Sequence, residues 1–359
     1  MQKRLFSLLL LLCLFANLLI GCAQTSGRPE AGADPTAAPT AAPTEVPTEA
    51  PTQEPLPTEP TETEPPRQGY RFADRAEGAD MLLAERDYYE NLTQNDLNYR
   101  LQKLDATLPE LEAFARAQIL EFTDGEKAVI DKDMQILLST CEARGYRLPA
   151  LSDVVFVKTT MQEECGAGAY THGTKIFLGE YLVSYALSEE ENLQQYFRMI
   201  LAHEMFHCLT RNHSDFRRDL YGIFGFTVAD EDFVFSPEVA GAIISNPDVG
   251  HHDSYAAFEI DGVKRDCVVI FTAAPFEQPG DSFFNSMQTC LVPIDTLDEM
   301  IPSENAANFW DVFGRNTSYV IDPEETLADN FGYLLVYGTN VRYETPELIL
   351  AIDAYLKER

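Results

Sequence analysis

The sequence predicts an α+β domain over residues 69–359, preceded by a signal peptide at 1–21 and a disordered tether at 22–68. Two observations carry the fold class. Between residues 78 and 145 apolar side chains recur every three or four positions, the period of helices packed on one face. The period then shortens in "DVVFV" and "TKIFLG", read as strands, and lengthens again in "MILAHEMFHCLTRNH" and "DPEETLADNFGYLLVYG".

Residues 1–21 open with Lys3 and Arg4 and continue as an apolar run too short to span a bilayer, which reads as an export signal. Leu19, Ile20, Gly21 and Cys22 resemble a bacterial lipobox, implying lipidation of Cys22 and a protein held at the extracellular face of a bacterial cell membrane. Up to residue 68 the composition collapses to Pro, Thr, Ala and Glu. Such a segment buries too little apolar surface to offset its ordering entropy and reads as a spacer.

In the folded part, "DMLLAERDYYENL", "TLPELEAFARAQIL" and "DGEKAVIDKDMQILLSTCEARG" read as N-terminal helices. "GAGAYTHG" reads as a turn or bulge between the two strands, and His172 within it as a solvent-facing turn histidine, the alternative being a contact to substrate. Ser188 is expected to open the next helix, with Glu191 completing a capping box. A further helix spans 214–223, strands follow through "CVVIFTAAPF" and "MQTCLVPI", and two helices close the chain.

The formal charge is −32. Cys22 to Arg67 contains eight acids and two bases, so most of the excess lies beyond the tether. A domain this acidic repels phosphate backbones, which argues against a nucleic-acid partner. Cys141, Cys165, Cys208, Cys267 and Cys290 show no CxxC spacing. Cys267 and Cys290 flank strand-like runs and are candidates to pair across a sheet.

The stretch 199–213 holds three of the six histidines. On a helix, His203, Glu204 and His207 share the stripe made by Leu193, Tyr196, Phe197, Ile200, Leu201 and Cys208. Three ionisable groups entering a core would cost several kcal/mol if unpaired. A divalent ion resolves the conflict, since residues four apart offer two imidazole nitrogens to one cation.

The spacing is HExxH, and these residues resemble the signature of zincin metallopeptidases. The resemblance implies a zincin-like metallopeptidase domain in which His203 and His207 hold Zn2+ and Glu204 is the general base. It covers the middle and end of the folded part; the helices before residue 146 stand outside it. Two sub-families differ in the third ligand. The metzincin pattern HExxHxxGxxH would use His213, but Thr210 stands where it needs glycine. The gluzincin pattern places a Glu on a later helix, with an Asp four residues on bracing a zinc-bound histidine. Glu325 and Asp329 have that spacing, and their row continues with Gly332 and Val336 rather than with polar residues. Glu325 is therefore favoured over His213. Asp322, Pro323 and Glu325 also fit an ordinary capped helix start.

In zincins the strand before the motif helix lines the cleft, a place occupied here by "AYTHGTKIFLG". The resemblance thus implies a membrane-anchored extracellular enzyme acting on a peptide or protein substrate, with zinc-activated water as nucleophile and Glu204 as proton acceptor. His251, His252, Tyr255 and Tyr333 are candidate oxyanion donors, none singled out. The alternative is a non-catalytic zinc-containing surface lipoprotein used for adhesion or partner binding.

Overall fold

A computed structural model describes residues 69–359. The expected signal peptide at 1–21, the lipid attachment at Cys22 and the tether to 68 lie outside the described residues. The described chain is a mixed α+β structure with two sheets. No described helix is long and apolar enough to cross a membrane.

The first sheet contains β1 (Tyr70–Phe72), β2 (Ile119–Leu120), β3 (Val154–Thr159), β4 (Ala169–His172) and β5 (Lys175–Gly179). Its order is β1-β3-β5-β4, with β2 also paired to β3. β1, β3 and β5 run parallel, while β4 returns antiparallel to β5 and forms the edge. β3 is buried along its whole length, as a parallel strand covered on both faces should be. The second sheet is antiparallel, in the order β10 (Ile301–Pro302), β9 (Met287–Pro293), β8 (Val263–Ala273), β7 (Ser254–Ile260) and β6 (Thr227–Val228). Asp261 and Gly262, at φ 52° and 75°, make the tight turn between β7 and β8.

Several local expectations change. "GAGAYTHG" is not merely a turn: its second half is β4, and Gly173 turns the chain into β5. His172 is consequently buried, its ring meeting those of Tyr88, Tyr170 and Phe177 at 4.8, 5.5 and 5.9 Å. Burial holds that imidazole well below its ordinary pKa, with Arg211 and Lys175 adding to the effect. Ser188 does not cap the next helix. Its N–H donates to Tyr185, closing the preceding helix Glu180–Ala186, and the following helix begins at Glu191. Cys267 and Cys290 are free thiols, because the register sets Cys267 opposite Pro293 and Cys290 opposite Ile270.

The motif helix, Glu191–Asn212, is buried on every side from Leu201 to Thr210, not along one stripe. It is covered by the edge strand β4, by the helix Ser214–Ile223 and by the carboxylate helix Pro323–Tyr337. Phe206 meets Phe331 at 5.4 Å across the contact between motif and carboxylate helices. Gly332 lets them approach: a Cβ there would lie 2.9 Å from the carbonyl oxygen of Met199. That contact explains why the row Glu325, Asp329 and Gly332 points inward.

Candidate metal centre

His203 and His207 stand one turn apart on the motif helix, both buried. The carboxylate helix begins at Pro323, with the Asp322 carboxylate accepting the Glu324 N–H at 2.8 Å. This cap frees Glu325 from a capping box, and its side chain goes to the centre instead. Glu325 Oε2 lies 3.0 Å from His203 Nε2 and 3.8 Å from His207 Nε2. Asn246 Nδ2 donates to Glu325 Oε1 at 2.5 Å, which fixes the carboxylate's rotation.

Each imidazole is braced through its other nitrogen. Asp329 Oδ1 lies 2.9 Å from His203 Nδ1, and Thr317 Oγ1 donates to Asp329 Oδ2. Glu324 Oε1 lies 3.0 Å from His207 Nδ1 and receives the Thr210 hydroxyl, while Tyr221 OH donates to Glu324 Oε2 at 2.6 Å. A carboxylate on Nδ1 directs the proton there and leaves Nε2 as a lone-pair donor. His207 Nε2 is buried with no hydrogen-bond partner among the described residues. The three donors, His203 Nε2, His207 Nε2 and Glu325 Oε2, lie within 4.8 Å of one another. Ligand atoms around a tetrahedral ion at about 2.0–2.1 Å stand roughly 3.3 Å apart, so the donor set fits one cation.

Glu204 is also buried, and Thr171 Oγ1 on β4 donates to its Oε2 at 2.7 Å. Burial raises its pKa despite the two imidazoles nearby. Burial likewise opposes charge on His203, but Asp329 and Glu325 outweigh it and raise that pKa well above the ordinary imidazole range. Glu324 is held down to about 2: burial works against its charge, and its bonds from His207, Thr210 and Tyr221 prevail.

The structure brings His203, Glu204, His207, Glu325 and Asp329 together and leaves His213 out. His213 occupies the junction between two helices, where its Nε2 lies 2.9 Å from the Ala150 carbonyl oxygen. His251 pairs with Asp232, and His252 packs edge-on against Phe235; neither hydrogen-bonds a described residue of the centre. Sequence reasoning missed Glu324, Asp248, Asn246 and Thr171. An acid at position 324 is ordinary for a helix first turn and gives no signal of its own, and the other three come from an edge strand and a loop with no periodicity to betray them. No family model, curated protein or solved structure matches the chain.

Proposed function

We propose that the protein is a zinc-dependent peptidase of zincin type, exported and lipid-anchored through Cys22, with His203, His207 and Glu325 as ligands. The carrying observation is the unpartnered His207 Nε2, buried beside His203 Nε2 and the Glu325 carboxylate. Two nitrogens and one carboxylate suit zinc and leave a coordination position free for chemistry.

Bound zinc would supply Lewis acidity, polarising water and the peptide carbonyl. The chain's own residues do the rest. Asp329 and Glu324 hold both rings by Nδ1 so that each Nε2 stays aimed and basic. Glu204, oriented by the Thr171 hydroxyl, accepts the proton of the attacking water and returns it to the departing amine. β4 forms the sheet edge where an extended peptide would pair by strand addition, displacing the Asp248 and Arg211 bonds to the Thr171 backbone.

The test is cleavage of a broad peptide library by zinc-loaded wild type and Glu204→Gln. The variant should retain zinc and lose roughly 10²–10⁴ in rate. Cleavage by the variant at the wild-type rate would remove the general-base role. A second reading, a metal-bearing surface protein without hydrolytic activity, is favoured by one feature: the Asp248 carboxylate close to His207.

A further inference from the structure

Asp248 is the acid of the centre that the zinc reading leaves without a task. It forms a close donor group with Glu204 and His207, all within 4.8 Å, and none with His203 or Glu325, so it stands on the general-base side of the site rather than among the ligands. Its Oδ1 lies 3.9 Å from His207 Nε2 and accepts the Thr171 N–H at 2.6 Å. Its Oδ2 takes no hydrogen bond from any described residue. The side chain keeps 7% of its surface accessible, which screens its charge little and still lets a ligand reach it. Arg211 does not neutralise it; that guanidinium donates to the Thr171 and Pro247 carbonyls at 2.5 and 2.7 Å. Burial, and after it the Glu204 carboxylate, push the Asp248 pKa well above its ordinary value, and a cation arriving here offsets both.

The same residues close one end of the cleft. Both outward backbone groups of Thr171 are taken, the N–H by Asp248 and the carbonyl by Arg211. A long substrate laid across Thr171 must break both bonds, whereas one that ends at Asp248 leaves them in place. The closing segment is anchored from behind. Ser245 N–H donates to Asp96 Oδ1 at 2.9 Å, its carbonyl accepts from Arg100 Nη2 at 2.9 Å, and Asn246 holds Glu325. The end of a peptide chain is charged, and the sign that fits is fixed: a carboxylate would be repelled by Glu204 and Asp248, an ammonium attracted. The α-ammonium stands on the carbon next to the first peptide carbonyl, so a carbonyl held at Glu204 and His207 brings it to a carboxylate 3.9 Å from His207 Nε2. A lysine ammonium, at the end of a flexible four-carbon stem, overshoots that distance.

We propose that the substrate class is peptides with a free N-terminus: Asp248 binds the α-ammonium of the first residue, and residues 245–248 end the cleft there, so that amino acids are released singly. Hydrolysis adds one water across the first peptide bond; the carbonyl carbon gains the oxygen, the departing amine gains a proton returned by Glu204, and a free amino acid leaves. The inference rests on the peptidase reading above and narrows it.

A pair of peptides differing only in N-terminal acetylation tests it on the full-length, zinc-loaded protein. Mass spectrometry should show loss of the first residue from the free peptide, with kcat/KM at least about 10²-fold above cleavage of the acetylated one at any bond. Asp248→Asn keeps an oxygen for the Thr171 N–H, and so keeps the segment in place, but should lose most of that preference. A readout without turnover accompanies it: by calorimetry, leucine hydroxamate should bind wild type about 10–100-fold more tightly than N-acetyl-leucine hydroxamate, and Asp248→Asn should bind the two alike. Wild type cleaving the acetylated peptide as fast as the free one, at internal bonds, overturns the inference and leaves the peptidase reading intact, a comparison that holds whether or not the variant folds. An undiminished amine preference in Asp248→Asn overturns it equally. Cleavage of neither peptide by the loaded wild type overturns both.

Discussion

Two regions of this molecule bury several acids each, and they settle the charge differently. Around Arg100 the protein supplies its own cation. The guanidinium is buried and bonds Asp96 Oδ1 at 2.8 Å and Glu164 Oε2 at 2.7 Å, with Tyr88 OH on its third side. Around His203 and His207 the carboxylates of Glu204, Asp248, Glu324, Glu325 and Asp329 are buried, and among the described residues no Lys or Arg side chain hydrogen-bonds any of them. Arg211 approaches but donates to two backbone carbonyls. Buried charge must be paired, protonated or metallated. The first cluster is balanced by its own guanidinium; the second is held by two imidazoles, and its donor set could hold a cation.

A third solution stands next to the first cluster. Glu163 adjoins Glu164 in sequence but has no base of its own; it accepts from Thr159 and Tyr170 hydroxyls. Burial pushes its pKa up to about 7, against the opposing effect of Thr159. One carboxyl thus meets burial with hydroxyl donors and a raised pKa where its neighbour meets it with an arginine.

These differences can be broken one at a time. Arg100→Met leaves the Asp96 and Glu164 carboxylates buried without their cation and should cost roughly 3–5 kcal/mol, read by urea unfolding. A loss below about 1 kcal/mol would show that the guanidinium does not balance them. Glu163 gives the next effect, and its sign is fixed. Its folded pKa of about 7 lies above the ordinary 4.5, so its contribution is whole below pH 4.5 and lost as pH rises through 7. Between those limits wild type should lose about 3 kcal/mol relative to Glu163→Gln, measured as the difference between their unfolding free energies across pH. A constant difference across that range would show that Glu163 is ionised in the fold. The smallest effect belongs to the brace on His207. Glu324→Gln keeps an acceptor but loses its charge, and zinc affinity should fall about 10–100-fold in a chelator competition. Unaltered affinity would mean that the Glu324 carboxylate does not tune His207.

What could be read in the sequence follows the range of the forces involved. His203, His207, Glu325 and Asp329 were legible because each pair lies on one helix at a spacing of four, which local geometry alone turns into a shared face. The helix Ser214–Ile223 was legible for the same reason: its apolar and polar residues segregate at helical period. β4 was not legible from local signals, since Ala169–His172 is flanked by turn-forming glycines and pairs with β5 to become a strand; only the resemblance placed 169–179 on a cleft strand. His172 follows from that error, because its burial depends on Tyr88 and Phe177 arriving from distant segments. Asp248 and Asn246 lie in a loop whose position is set by Asp96, Arg100 and Arg211. Nothing local to residues 245–248 encodes that placement. Glu324 needed the orientation of His207 before its role could be seen.

The central claim is that the acids around His203 and His207 are balanced by a bound dication. Thermal unfolding of the full chain, after exhaustive chelation and again with zinc restored, tests it most directly. At free zinc a hundredfold above its dissociation constant the gain should be about 2.7 kcal/mol, a rise in Tm on the order of 5 °C, absent in the double variant His203→Ala, His207→Ala. Melting curves of wild type that coincide with and without zinc would contradict the account.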